Sequence, residues 1–242
     1  MLSLLVRPPV LIPRPETEDW TIRLAKHVRP TPQSPITMLD LCTGSGCIPL
    51  LLCRLWPAGS VRAFGVDVST DAVQLARENA SVSDVHLPCD TSLPTTSASA
   101  APHNTFLPLL ADIRDPGFLH KAGLQPPFHV ITSNPPYIPR REYENLPKSV
   151  REYEDVRALL GDPDPGNAEQ RGLTFYHAIA ALVARARVLA DNGVLAVEVG
   201  HGQAQDVAHI LRDEGGLQST TIWKDPWGID RVVVASREPT SS

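Results

Sequence analysis

Thr37-Met38-Leu39-Asp40-Leu41-Cys42-Thr43-Gly44-Ser45-Gly46-Cys47 is the stretch on which the fold turns. Thr37 to Leu41 is an apolar run of strand length, broken only by Asp40. Gly44 and Gly46 allow a tight turn and a close approach of the backbone to a ligand. The residues from there to about Leu55 have the length of a helix. Strand, glycine turn and helix in that order open an alternating α/β domain. The alternation continues outward. Val61 to Asp67 reads as a strand. Ser69 caps a helix through about Asn79, with Ala72, Val73, Leu75 and Ala76 at helical spacing. Phe106 to Asp112 and Phe128 to Ser133 read as the third and fourth strands. Leu173 to Leu189 reads as a helix ended by Asn192-Gly193, and Val194 to Val199 as the fifth strand. A helix over Gln203 to Glu214 precedes a close pair of strands, Gln218 to Trp223 and Arg231 to Ala235, joined through Asp225-Pro226-Trp227-Gly228. On the N-terminal side, Pro15 suits the first turn of a helix to about His27, and Glu16 and Glu18 suit its positive end. The expectation is an α/β fold with a mainly parallel seven-stranded sheet, helices on both faces and an antiparallel C-terminal strand. Residues 36–237 form that domain, and residues 1–35 are a segment and helix packed on it. Residues 92–104, rich in Ser, Thr, Ala and Pro, read as a flexible surface insertion.

Three successive strands end in an acid: Asp40, Asp67 and Asp112. A carboxylate at the end of the second strand can accept hydrogen bonds from both hydroxyls of a ribose. Asp112 falls where an adenine amino group would lie. A single Asp at a strand end is usually a turn residue; three behind a glycine loop point to adenosine. GxGxxG is absent, since Cys42 stands where its first Gly would be, and so is GxxxxGK[ST]. That argues against a dinucleotide and against a phosphate-cradled ATP. The acid before the loop suits a ligand with a cationic amino-acid end. S-adenosylmethionine, with its ammonium and sulfonium, fits better than NAD.

Asn134-Pro135-Pro136-Tyr137 follows the fourth strand. Neither proline can donate to a ladder, so the strand stops and the loop is stiff. The loop sits at a strand's C-terminal end, where open α/β sheets bind ligands. Asn134 offers a carbonyl acceptor and an NH₂ donor. A rigid Asn beside an aromatic ring suits a flat group carrying –NH₂, a carboxamide or a nucleobase.

The 242 residues are 42% apolar and 20% charged, as in an ordinary globular protein. A net charge of −5 argues against a general DNA-backbone binder. Arg140, Arg141, Lys148 and Arg151 make a local basic cluster, a solvated face or a contact for an acidic or RNA-bound partner. Cys42, Cys47, Cys53 and Cys89 include no CxxC pair, so neither a metal site nor a disulfide framework is expected. Reduced thiols imply an intracellular compartment. No run has the length of a membrane helix, and Met1 to Arg7 is too short and too poor in basic residues for a targeting peptide.

These residues carry a resemblance. From Leu11 to about Ala235 the chain resembles the HemK/PrmC glutamine-N5 methyltransferases, which modify the GGQ glutamine of peptide-chain release factors. The resemblance rests on Leu11-Ile12-Pro13-Arg14-Pro15-Glu16-Thr17-Glu18, the Asp40–Gly46 loop, Val66-Asp67, Ser133 to Ile138, Tyr153-Glu154 with Arg157-Ala158-Leu159, Gly172-Leu173 and Glu198-Val199-Gly200. The Asn-Pro-Pro-Tyr motif is shared with adenine-N6 and other amino methyltransferases; the segment from Leu11 is more specific. The resemblance implies a Rossmann-like class I S-adenosylmethionine-dependent methyltransferase. It implies Asp40, Thr43, Gly44, Gly46, Asp67, Val68, Asp112, Ile113 and Asn134 at the cofactor. It implies Arg14, Glu16, Thr17, Asn134, Pro135, Pro136 and Tyr137 at the substrate, and no metal. In the transfer, the Asn134 side-chain oxygen and the Pro135 carbonyl accept hydrogen bonds from the substrate –NH₂, and Tyr137 packs against the amide. Glu198 is a supporting polar group or a paired structural carboxylate.

The chain departs from the family in three ways. About ten residues precede Leu11 where members usually carry a helical N-terminal domain, which implies a truncation or an altered docking of the substrate. Glu154-Asp155 stands where Glu-Pro is common, and the 92–104 insertion is unusual. The expected partner is a release factor, with no membrane and no stable nucleic-acid partner, and the chain is expected to be a monomer. The segment from Leu11 favours a stand-alone, organellar or bacterial-type branch, placing the chain in mitochondria or the cytoplasm. Two alternatives stay open. One is an adenine or guanine amino methyltransferase on nucleic acid, which needs a target-recognition domain or a basic groove. The other is a truncated cofactor-binding paralogue without activity.

Overall fold

The computed structural model describes residues 2–88, 91, 103–163 and 171–237. In chain order the elements are α1 (Pro15–His27), β1 (Ile36–Leu41), α2 (Cys47–Leu55), β2 (Val61–Asp67), α3 (Thr70–Val82), β3 (Thr105–Leu110), α4 (Phe118–Lys121) and β4 (Phe128–Ser133). Then follow α5 (Arg140–Tyr143), α6 (Lys148–Arg151), α7 (Val156–Leu159), α8 (Thr174–Ala184), β5 (Leu189–Glu198), α9 (Ala204–Asp213), β6 (Ser219–Lys224) and β7 (Asp230–Ser236). Pro15 opens α1 with Glu16 and Glu18 in its first turn and Lys26 and His27 in its last, so the charges match the helix dipole at both ends.

The strands form one seven-stranded sheet in the order β3-β2-β1-β4-β5-β7-β6. β1 to β5 pair in parallel, and β7 is antiparallel to both β5 and β6. This is the expected sheet. Side chains alternate across it, so each strand feeds two apolar layers. Leu39, Leu41, Ile131 and Val197 join Tyr176, Ile179 and Leu211 of α8 and α9 on one face. Met38, Val130 and Ala196 join Trp20, Leu24, Ile48 and Leu52 of α1 and α2 on the other. Asp40 shares the parity of Met38 and therefore points into the α1–α2 layer.

The chain leaves β1 toward β2 on one side, while β4 lies on the other. That reversal opens a crevice at the C-terminal ends of β1 and β4. The glycine loop leaves β1 there and the Asn-Pro-Pro-Tyr loop leaves β4 beside it. The Ser133 hydroxyl ties the two ends together by donating to the Leu41 carbonyl at 2.9 Å.

Three sequence expectations shift. The helix expected to reach Leu189 stops at Ala184; Arg187 takes a left-handed φ of 65°. β5 starts at Leu189, and the expected stop signal Asn192-Gly193 lies in a bulge within it. Phe128 N donates to Val188 O at 2.9 Å, so pairing with β4 takes the chain that local periodicity assigns to a helix. Second, β3 ends at Leu110, leaving Asp112 in the following loop. Third, residues 92–102 of the expected insertion lie outside the described residues, but Asn104 is an ordered plug. Its Oδ1 accepts from the Ser60 and Val61 amides at 2.9 and 3.1 Å, and its Nδ2 donates to the Cys53 and Trp56 carbonyls at 2.8 and 3.1 Å. Four backbone groups of the α2–β2 connection are satisfied by one side chain.

Candidate active site

The loop after β1 is shaped by left-handed residues. Cys42, Gly44 and Gly46 have φ of 57°, 54° and 79°. A Cβ on Gly44 would meet nothing within 4 Å, so its α-carbon faces open space. A Cβ on Gly46 would sit 2.9 Å from the Phe106 ring, so this glycine permits helix–sheet packing rather than ligand approach. Asp40 lies beneath the loop, fully buried. Its Oδ2 accepts from Thr43 Oγ1 at 2.7 Å and its Oδ1 from Thr132 Oγ1 at 2.6 Å. Burial pushes its pKa up to about 7 against the pull of those two hydroxyls. Asp40 therefore pins the loop between β1 and β4.

This has a pH consequence. Asp40 holds its proton more tightly in the fold than in the unfolded chain. Its protonation favours the fold at low pH, and that contribution is lost as pH rises from the ordinary value of 3.8 through about 7. The wild-type melting temperature is expected to fall relative to Asp40→Asn across that window and to track it on either side. Parallel curves throughout would show that Asp40 does not titrate there.

A cavity of about 290 Å³ opens in front of the loop. Of the expected cofactor residues, Gly44, Asp67, Val68, Asp112, Ile113 and Asn134 border it; Asp40, Thr43 and Gly46 do not. Asp67 accepts from Gly44 N through Oδ2 and from Ser69 N through Oδ1, both at 2.9 Å. Each oxygen keeps a lone pair for a further donor. Burial raises its pKa, and the two amides pull it back. Asp112 is gripped by Arg114, whose Nε and terminal nitrogen donate at 3.0 and 2.7 Å, and this holds its carboxyl below the ordinary range. Leu11, Val156, Leu160 and Phe175 add apolar walls. Sequence reading does not assign these residues to one wall, because they come from three separate segments, Val156 and Leu160 sharing α7 and its C-terminal end.

After Ser133 the loop is held from behind by glycines. Tyr137 O accepts from Gln203 Nε2 at 2.9 Å. Ile138 N donates to Leu159 O at 2.9 Å, and Gly161 N to Ile138 O at 3.0 Å. A Cβ on Gly161 would lie 2.8 Å from the Tyr137 α-carbon, and one on Gly200 would lie 2.9 Å from the Tyr137 ring. Asn134 and Pro136 border the cavity; Pro135 and Tyr137 do not. The Tyr137 ring rests on Gly200 and borders a second groove with Arg141, His201 and Gln203. The ring also packs against the apolar layer under α8 and α9. Burial pushes its phenol pKa well up. Among the described residues, no cluster of three or more His, Cys, Asp or Glu could hold a metal ion.

No protein-family model matches the chain. A release factor glutamine methyltransferase of Thermodesulfovibrio yellowstonii is 32% identical over 228 residues, 94% of this chain and 69% of the relative. The chain belongs to the release factor glutamine methyltransferase family. A relative of the same name from Fusobacterium nucleatum is 33% identical over 233 residues, covering 94% of this chain and 54% of that one. Among solved structures, a methyltransferase from Pyrococcus furiosus aligns over 98% of this chain and 89% of its own with a TM-score of 0.59. At 14% identity it speaks to the fold alone.

In this member of the release factor glutamine methyltransferase family, two carboxylates tie α1 to the site. The Arg14 guanidinium donates to both oxygens of buried Glu154 at 2.7 and 2.8 Å, and Ile12 N donates to the same side chain at 3.3 Å. Arg14, expected at the substrate, is thus occupied as a clamp. The Thr17 hydroxyl and the Trp20 indole N–H donate to Glu198 Oε2 at 2.6 and 2.8 Å. Asn134 Nδ2 reaches Thr17 Oγ1 at 3.4 Å. Arg14, Glu16 and Thr17 do not border the cavity; Thr17 stands behind Asn134, and Glu16 is half-buried in the first turn of α1. No sequence pattern pairs Arg14 with Glu154, because the two meet only through the fold.

Proposed function

We propose that the chain transfers a methyl group from S-adenosylmethionine to the side-chain amide nitrogen of the GGQ glutamine of a peptide-chain release factor. The observation that carries this reading is Asn134 at the cavity rim, its NH₂ engaged by Thr17 and its carbonyl oxygen left to receive an –NH₂. The cavity suits the cofactor. Gly44 offers open space where a side chain would intrude, Asp67 keeps acceptors for ribose hydroxyls, and Ile113, Leu160 and Phe175 offer flat apolar contact for a base. Bound there, the cofactor supplies an electrophilic methyl group on a sulfonium.

The protein's own task is positioning. A carboxamide nitrogen is a poor nucleophile because its lone pair is shared with the carbonyl. Asn134 Oδ1 and the Pro135 carbonyl accept its two N–H groups and aim the remaining lobe inward. The apolar walls exclude water, which strengthens those hydrogen bonds. The amide proton becomes acidic only as the N–C bond forms and passes to solvent after transfer, as the product leaves, so no buried base is required. Asp67→Ala is expected to weaken S-adenosylmethionine binding by roughly 10- to 100-fold, the loss of hydrogen bonds to a charged acceptor; calorimetry checks it.

Incubation with methyl-labelled S-adenosylmethionine and a bacterial-type release factor, beside its GGQ Gln→Ala variant, tests the reaction. Label on the wild-type factor alone supports it, and no label on either with cofactor bound refutes it. The reading includes a monomer, checked by sedimentation, and an intracellular site, mitochondrial or cytoplasmic. Detection of the endogenous chain outside the cell alone would overturn the latter. Among the described residues no helix is long and apolar enough to cross a membrane.

A further inference from the structure

Asn134 has two ends of nearly identical shape and opposite polarity. Turned one way it offers an acceptor to the substrate; turned the other it offers donors that repel a substrate –NH₂. Something must choose, and the choice can be traced through three side chains. The Trp20 indole can only donate, so Glu198 Oε2 accepts from it at 2.8 Å. The Thr17 hydroxyl lies 2.6 Å from the same oxygen. A hydroxyl has one proton, and an ionised carboxylate takes it. Toward Asn134, Thr17 then presents only lone pairs. The side chain of Asn134 answers with its NH₂ at 3.4 Å, and its carbonyl oxygen is left for the cavity.

We propose that Glu198 and Thr17 form a polarity lock that holds the Asn134 carbonyl toward the substrate, making both of them positioning residues for methyl transfer. The inference rests on the proposed amide-nitrogen substrate and deepens it. The lock sets the chemical class accepted: groups that donate at the reacting nitrogen, amides and amines, over isosteric carboxylates. Glu198 is 1% exposed and, beyond Thr17 and Trp20, feels the Arg231 charge, which favours its ionised form, and the Glu16 charge, which opposes it. Burial pushes its pKa up. A glutamine here would keep its carbonyl oxygen toward the Trp20 N–H, and that same oxygen would still accept from Thr17, so an apolar replacement is what breaks the relay.

The test uses Glu198→Leu, Thr17→Val and Thr17→Ser in the full chain. Glu198→Leu and Thr17→Val are expected to lower kcat on the release factor by roughly 10- to 100-fold, the scale for losing a supporting polar partner. Cofactor Kd should stay within about twofold, and Thr17→Ser, which keeps the hydroxyl, within about threefold of wild-type kcat. The Asn134 side-chain NH₂, followed by NMR without ligand, should show one proton slowed in exchange in the wild type and in Thr17→Ser, and none in the other two. The sharpest arm is a pair. Asn134→Asp alone should be nearly inactive, because Thr17 has no second proton for the new carboxylate. Adding Glu198→Leu removes the acceptor and frees the Thr17 proton to be donated to that carboxylate, and activity should rise. Unchanged kcat in Glu198→Leu, unchanged NH₂ exchange, or a further fall in the double variant overturns the lock. If Glu198→Leu does not fold, Thr17→Val decides the matter. If the wild type fails to label the release factor, the substrate reading fails, while the exchange measurement still judges the lock.

Discussion

Replacing Asn134 by Ala is expected to lower methyl transfer by roughly 10²- to 10³-fold while leaving the fold intact, the range for deleting one preorganised hydrogen-bonding group in a water-poor site. The stability cost should be small because Asn134 is half-buried and makes one long contact, to Thr17 at 3.4 Å. The kinetic cost should be large because the nitrogen it orients is intrinsically unreactive, so most of the catalysis lies in placement. The loss should fall on kcat. Single-turnover kinetics with saturating cofactor checks it; a variant within about threefold of wild type would remove Asn134 from the mechanism.

The second large effect is expected at Gly172. It has φ of 76°, and a Cβ there would overlap the Tyr137 carbonyl oxygen and approach Gln203 Nε2 at 2.8 Å. The obstacle is backbone, at the turn that follows the Asn-Pro-Pro segment. Gly172→Ala must therefore push that loop outward, which also strains the Gln203–Tyr137 hydrogen bond. A loss of about 3–5 kcal/mol is expected, the upper range for single substitutions, which in a chain of this size lowers Tm by roughly 10 °C. Activity should fall further than stability, since the displaced loop carries Asn134. Gly202→Ala is the control: its φ of 78° is equally left-handed, but nothing lies within 4 Å of the new Cβ. It should show only the backbone strain of about 1 kcal/mol. Equal melting temperatures for the two variants would mean that the contact with Tyr137 does not matter.

The two predictions draw on different kinds of information. Asn134 stands out in the sequence because prolines after an apolar run can only end a strand. Gly172 is one glycine among 15 in the chain, and its close approach to Tyr137 emerges only once α8 is docked. The same contrast holds for the acids. Asp67 ends β2 and borders the cavity, as a strand-end position suggests. Asp40 is legible as an acid before the loop, but not as a buried pin between two hydroxyls, because Thr132 lies 92 positions away. Asp112 reads as a strand residue, although β3 stops at Leu110 and Arg114 takes the carboxylate.

What the sequence determined by itself is the order of the strands and of the longer helices, the glycine loop, the stiff Asn-Pro-Pro-Tyr turn and the antiparallel end of the sheet. These rest on local physics: periodicity of 2 or 3.6, glycine's left-handed freedom and proline's missing N–H. The tertiary structure alone decided where the helix before β5 ends, which expected residues reach the cavity, and what holds them. Leu189 went to a strand because pairing with Phe128 supplied backbone partners that an isolated helix end lacks. Arg14 met Glu154, and Thr17 met Glu198 and Asn134, because α1 packs over the sheet's C-terminal edge. Such contacts join residues more than a hundred positions apart. Their polarity depends on where each proton goes, and a linear pattern of residue types does not encode that.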